Sequence, residues 1–121
     1  MSRYSETVME HFLDPRNRGT LSSPAGVGVS GVPGEGPFLV FQVDCTGPTV
    51  TSAAFQCHSC GVTVASGSML TTMVLGKTLD ECLQISANDI TNALEGVPPD
   101  KLHVPQLALI AMKQAVMEAA T

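Results

Sequence analysis

Apolar side chains recur at Tyr4, Val8 and Phe12, with Met9 and Leu13 beside them, and this spacing predicts a helix over 4–13. Pro15 stops it, since proline disfavours helical geometry at the residue before it. Residues 38–45 (Phe-Leu-Val-Phe-Gln-Val-Asp-Cys) and 49–57 (Thr-Val-Thr-Ser-Ala-Ala-Phe-Gln-Cys) are rich in β-branched and aromatic types. The Thr46-Gly47-Pro48 break between them predicts an antiparallel hairpin. A further strand is expected over 26–33, inside a Gly- and Pro-rich stretch. From Gly61 to Leu75 the run of Ala, Ser, Thr, Val, Met and Leu predicts a buried, closely packed helix ended by Gly76. Thr78-Leu-Asp-Glu81 and Ser86-Ala-Asn-Asp89 fit capping boxes, in which a hydroxyl and a carboxylate exchange bonds with each other's backbone. Residues 95–100 read as a loop. Residues 105–120 read as the last helix, with Pro105 in its first turn and Gln106, Lys113, Gln114 and Glu118 on its polar side. This order predicts an α+β fold: a small antiparallel three-stranded sheet packed on one face against four to five helices.

At 121 residues the chain is expected to be one domain, 1–121. Charged residues are 14 % of it, against about 25 % in a typical globular domain, and 44 % is apolar, which excludes disorder as the dominant state. A formal charge of −5 argues against nucleic acid or anionic lipid as partners. No apolar run reaches the roughly 18 residues of a membrane span. The opening Met-Ser-Arg-Tyr-Ser-Glu is polar where a signal peptide is apolar, so a cytoplasmic location with reduced cysteines is expected. Between Gly19 and Gly76 only Glu35 and Asp44 are charged, so this stretch is either buried or a docking surface. Phe38 and Val40 share the outward phase of their strand, and self-association or a partner is expected on the open side of the sheet.

Cys57-His58-Ser59-Cys60 is a lone C-x-x-C, and without a second pair a zinc-finger reading is poor. Cys57 is in phase with Ala53 and Phe55, which predicts a small buried hydrophobe; Cys45 and Cys82 are likewise expected to pack. Cys60 stands between the strand and the buried helix, where the positive end of a helix dipole favours thiolate, and is the candidate functional thiol. His11 is expected at the surface or as a cap, and His58 in an exposed loop. His103 follows the Pro-Pro loop and precedes the last helix, a position where several segments could converge.

Nearly the whole chain resembles the NifU/IscU-like family of iron–sulfur cluster assembly scaffolds. The resemblance is carried by Tyr4-Ser5…Val8-x-x-His11-Phe12-x-x-Pro15-Arg16-Asn17-x-Gly19, by Gly31-Val-Pro33-Gly-Glu35-Gly36, by Cys60-Gly61…Ala65-Ser66-Gly-Ser68-Met69-Leu70-Thr71, and by Gly76-Lys77-Thr78-Leu79. Pro98-Pro99-Asp100-Lys101-Leu-His103 is similar to the segment read by an Hsp70-type chaperone. The resemblance implies the SufE/NifU type of fold, no enzymatic activity, a cysteine desulfurase as partner and an iron–sulfur cluster as cargo. Cluster-holding members use three cysteines and an aspartate. On this resemblance Cys60 is retained, Glu35 and Pro37 replace the first cysteine and the aspartate, and Val104 replaces the third cysteine after His103.

Iron–sulfur clusters are held mainly by thiolates. The implied site of Cys60, His103 and Glu35 instead offers one sulfur, one nitrogen and one carboxylate oxygen, all legitimate ligands of a single zinc or iron ion. Three readings stay open: a scaffold with an altered ligand set, an adaptor that docks on the assembly machinery without a cluster, and a small zinc protein. A hydrolase lacks a nameable general base.

Overall fold

Strand β2 (Phe38–Thr46) is the middle of a three-stranded antiparallel sheet, flanked by β1 (Gly26–Gly31) and β3 (Thr49–His58). The computed structural model describes residues 3–31, 38–58 and 61–121. Its helices are α1 (Glu6–Leu13), α2 (Gly61–Val74), α3 (Leu79–Leu83), α4 (Ala87–Ala93) and α5 (Val104–Ala119), with a 3-10 turn at Pro99–Lys101 that overlaps the end of the expected loop. The α+β expectation holds, and the predicted 26–33 strand is seen as Gly26–Gly31, its last two positions lying outside the described residues.

Alternation along β2 sorts its two faces. Leu39, Phe41 and Val43 are fully buried, while Phe38, Val40 and Gln42 are half-buried on the other side. Burying each of the first three contributes roughly 1.5–3 kcal/mol. A register shift at Asp44/Cys45 breaks this phase, which leaves Cys45 half-buried rather than packed as expected.

Glycines set how closely helices approach the inner face. A Cβ on Gly28 would stand 1.8 Å from the Ala111 carbonyl oxygen, and one on Gly26 equally close to that of Ala115, so α5 lies backbone to backbone on β1. On the polar side of α5, Gln114 Oε1 accepts from Val29 N–H (3.1 Å) and Glu118 Oε1 from Val27 N–H (3.3 Å), which occupies the outer edge of β1. The predicted polar stripe thus guards a strand edge. Helix α2 sits on β3 through Gly67, whose Cβ would meet the Phe55 ring at 2.5 Å. Ten of the 14 residues of α2 are buried, as expected of the central helix.

Both capping boxes form: Thr78 with Glu81, and Ser86 with Asp89. Ser5 caps α1 by accepting from Val8 N–H (3.0 Å), and its hydroxyl donates to the Leu94 carbonyl, tying α1 to the end of α4. The other edge of the sheet is taken by residues 17–19. Gly19 N–H donates to the Phe55 carbonyl (2.9 Å), and Phe55 N–H to that of Asn17 (3.1 Å). The chain then crosses the open face toward β1, where Leu21 N–H donates to Gln42 Oε1 (2.7 Å). Ala54, paired with Gln42, is buried on that face.

Candidate functional site

The candidate ligands come from three places. Glu35 and Cys60 lie outside the described residues, whereas His103 is exposed at the start of α5, its side chain making no capping hydrogen bond. The residues that flank them are informative. Gly31, Phe38 and His58 stand opposite one another at one end of the sheet, so the neighbours of Glu35 and of Cys60 share that end. Gly61 opens α2, and beside it lie Tyr4, Val8, Met9 and Phe12 of the N-terminal segment and α1, around an apolar cavity of about 370 Å³. Arg3 pairs with Asp100, and its guanidinium lies 5.7 Å over the Tyr4 ring. This chain of contacts, Asp100 to Arg3 to Tyr4 to Gly61, brings the segment before His103 to the same end as the start of α2.

Two helix N-termini therefore open beside candidate ligands: α2 after Cys60 and α5 after His103. Unsatisfied N–H groups and the helix dipole make such ends favour anionic groups, thiolate among them. Among the described residues no three of His, Cys, Asp and Glu gather closely enough to hold an ion. Cys82 is fully buried, donates to the Val74 carbonyl (3.9 Å) and has its thiol pushed up by burial, which makes it a packing residue as expected. Cys57 lies on the core side of β3 opposite Leu39, but it is only half-buried because the sheet ends one residue later. Correcting another expectation, His58 is not in a loop: it ends β3, exposed, its ring stacked on Phe38 at 6.3 Å.

His11 overturns its surface reading. It is 6 % exposed, with Nδ1 2.7 Å from Ser68 Oγ of α2. Ser68 Oγ also accepts from Arg16 N–H (2.8 Å), Asn17 Nδ2 donates to Thr71 Oγ1 (3.1 Å), and Thr71 O–H bonds the Ser68 carbonyl (2.7 Å). The Pro15-Arg16-Asn17-x-Gly19 motif is thus a turn clamped on α2 that aims residues 17–19 along β3. Asn17 accepts a φ of +60° there, a conformation Asn tolerates better than most residues. Burial, and then the Arg16 charge, hold the His11 imidazole below its usual range, so the neutral form fills this site. Phe12, which shares the apolar spacing of Tyr4 and Val8, is 42 % exposed, because Val8 and His11 take the face against α2.

The NifU-like N terminal domain description matches residues 3–120. The chain belongs to that family. It is 34% identical over 115 residues to "Iron-sulfur cluster assembly scaffold protein IscU 1" of Archaeoglobus fulgidus, covering 95% of this chain and 75% of that protein. It is 36% identical over 119 residues to the protein of Escherichia coli named iron-sulfur cluster assembly scaffold protein IscU, covering 95% and 92%. Among solved structures, the N-terminal NifU-like protein of Brucella abortus superposes with a TM-score of 0.77 at 18% identity, covering 98% of this chain and 94% of that one. The putative scaffold protein for the SUF system of Fervidobacterium islandicum does so with a TM-score of 0.74, also at 18% identity, covering 93% and 96%. These two likenesses establish the fold expected from the sequence. No helix among the described residues is long and apolar enough to cross a membrane.

Proposed function

We propose that this chain is a non-enzymatic, scaffold-like component of iron–sulfur cluster assembly in the cytoplasm. In this reading it receives sulfur on Cys60 from a cysteine desulfurase and holds a single iron or zinc ion through Cys60, His103 and Glu35. The observation that carries the reading is family membership over residues 3–120, together with the shared end at which the neighbours of all three residues meet. The donor set fits one borderline-soft ion with an open fourth position better than it fits a cluster, which is held mainly by thiolates. Pro99 and Asp100 are exposed while Pro98 is buried, so an Hsp70-type chaperone reading Pro98–Lys101 meets a surface whose one carboxylate already faces Arg3.

Anaerobic reconstitution with iron, L-cysteine and a desulfurase tests the proposal. The unmodified chain should develop little or no cluster absorbance, and Cys60→Ala should lose bound iron. Glu35→Cys, Val104→Cys and Pro37→Asp together should yield a cluster. Full cluster loading of the unmodified chain, unaltered by Cys60→Ala, would overturn the ligand assignment. A chain that binds a desulfurase but never takes up sulfur or metal would instead be an adaptor.

A further inference from the structure

Besides the apolar cavity at Gly61, a second hollow of about 330 Å³ lies at the C-terminal end of β3, lined by Arg18, Gly19, Phe38, Gln56, Cys57 and His58. Backbone pairing places its parts. Phe55 is hydrogen-bonded to Asn17 and Gly19, which lays Arg18 along the edge of β3. Phe38 stands opposite His58 in the β2–β3 register, and their rings stack at an interplanar angle of 21°. A flat wall of two rings therefore shares one hollow with an arginine. The charge there is one-sided, since none of the lining residues is acidic. Arg3 is paired with Asp100 and Arg16 with Glu10, whereas Arg18 is exposed and makes no ion pair among the described residues. Gln56 and His58, both exposed, add N–H donors, and an imidazole keeps one N–H even when neutral.

A guanidinium fork matches the paired oxygens of a carboxylate or a phosphate. Scale then decides what kind of anion fits. A single arginine in a hollow at the small end of ordinary ligand pockets holds one oxyanion, not a polyanionic backbone. The formal charge of −5 repels a polyanion along its whole length, while a small anion inside the screening distance of about 10 Å at 0.1 M salt meets Arg18 first. We propose that this hollow binds a small molecule in which a carboxylate or phosphate is joined to a flat ring. The oxyanion accepts from Arg18 and from the N–H donors of Gln56 and His58, and the ring lies against the Phe38–His58 pair. Neither Cys60 nor a bound ion takes part, so this site stands independently of the metal site proposed above.

Amide chemical shifts of the full chain, followed through titrations with phenyl phosphate and with benzoate, test this and separate the two oxyanions. Inorganic phosphate serves as the probe without a ring and phenol as the probe without the oxyanion. At least one of the ringed anions should give saturable shifts centred on Gly19, Gln56, Cys57 and His58, and should bind more tightly than inorganic phosphate or phenol. Arg18→Gln should weaken that binding about tenfold, the scale of one charge-assisted pair. Arg18→Lys should restore only part of it, because an ammonium lacks the fork. Phe38→Leu should narrow the preference for phenyl phosphate over inorganic phosphate. Because Arg18 is exposed, its variants should keep the thermal midpoint of the unmodified chain, which separates lost binding from lost folding. The proposal is overturned if neither ringed anion gives saturable shifts, or if the shifts centre elsewhere. It is equally overturned if Arg18→Gln binds as the unmodified chain does, or if phenol binds as tightly as phenyl phosphate and benzoate.

Discussion

His11 Nδ1 lies 2.7 Å from Ser68 Oγ, joining the first helix to the middle of the central one across a buried contact. Because burial and Arg16 disfavour the imidazolium, with Glu10 acting weakly the other way, the folded state binds this proton less readily than the unfolded chain. The contribution to stability is therefore fully present above the unfolded value of 6.5 and is lost as pH falls below it toward the lowered folded value. Thermal midpoints measured from pH 8 to pH 5 should decline below that point, and His11→Gln should flatten this part of the profile. An unchanged slope in the variant would place the acid sensitivity elsewhere.

Gly28→Ala should cost about 3 kcal/mol or prevent folding, because its Cβ would overlap the backbone of α5 and no flexible side chain can yield there. Chemical denaturation measures this directly. A loss within about 0.5 kcal/mol, ordinary for a surface change, would show that α5 does not lie so close to β1.

Gln114→Ala with Glu118→Ala should cost only about 1 kcal/mol, since the two bonds to Val27 and Val29 N–H are exposed. The larger effect should be on association, because the change uncovers the edge of β1. Light scattering over a concentration series should show the variant self-associating where the unmodified chain does not, or doing so more strongly.

Phe55→Ala should cost about 3–5 kcal/mol, as the ring is fully buried and packs on the Gly67 position of α2. The measurement separates this core contact from the edge contact above.

Much of the fold is legible in sequence because its signals are local. The hairpin turn, the two capping boxes, Pro15 and the small-residue run of α2 each act within a few positions. What escapes such reading is long-range. The partner of His11 is Ser68, far along the chain, on a helix buried nearly all round that offers no face to orient by. Phe12 follows the period of Tyr4 and Val8, yet in a helix of eight residues the inner face is filled by Val8 and His11. The resemblance brings His11 and Asn17 into a motif, but only the fold shows that the motif is a clamp. For the candidate site, residue types and order along the chain point to Cys60, His103 and Glu35; the shared end of their neighbours depends on strand register and on the Arg3 contacts, which no periodicity encodes.

Anaerobic titration with cobalt(II) tests the central proposal most directly, because a thiolate bound to cobalt gives a charge-transfer band that no other ligand here produces. The expected result is a single ion per chain with that band, lost in Cys60→Ala and weakened in His103→Ala and Glu35→Ala, since removing one of three protein ligands leaves the coordination shell open. A band that survives Cys60→Ala unchanged, or no band in the unmodified chain, would contradict a metal site built on Cys60.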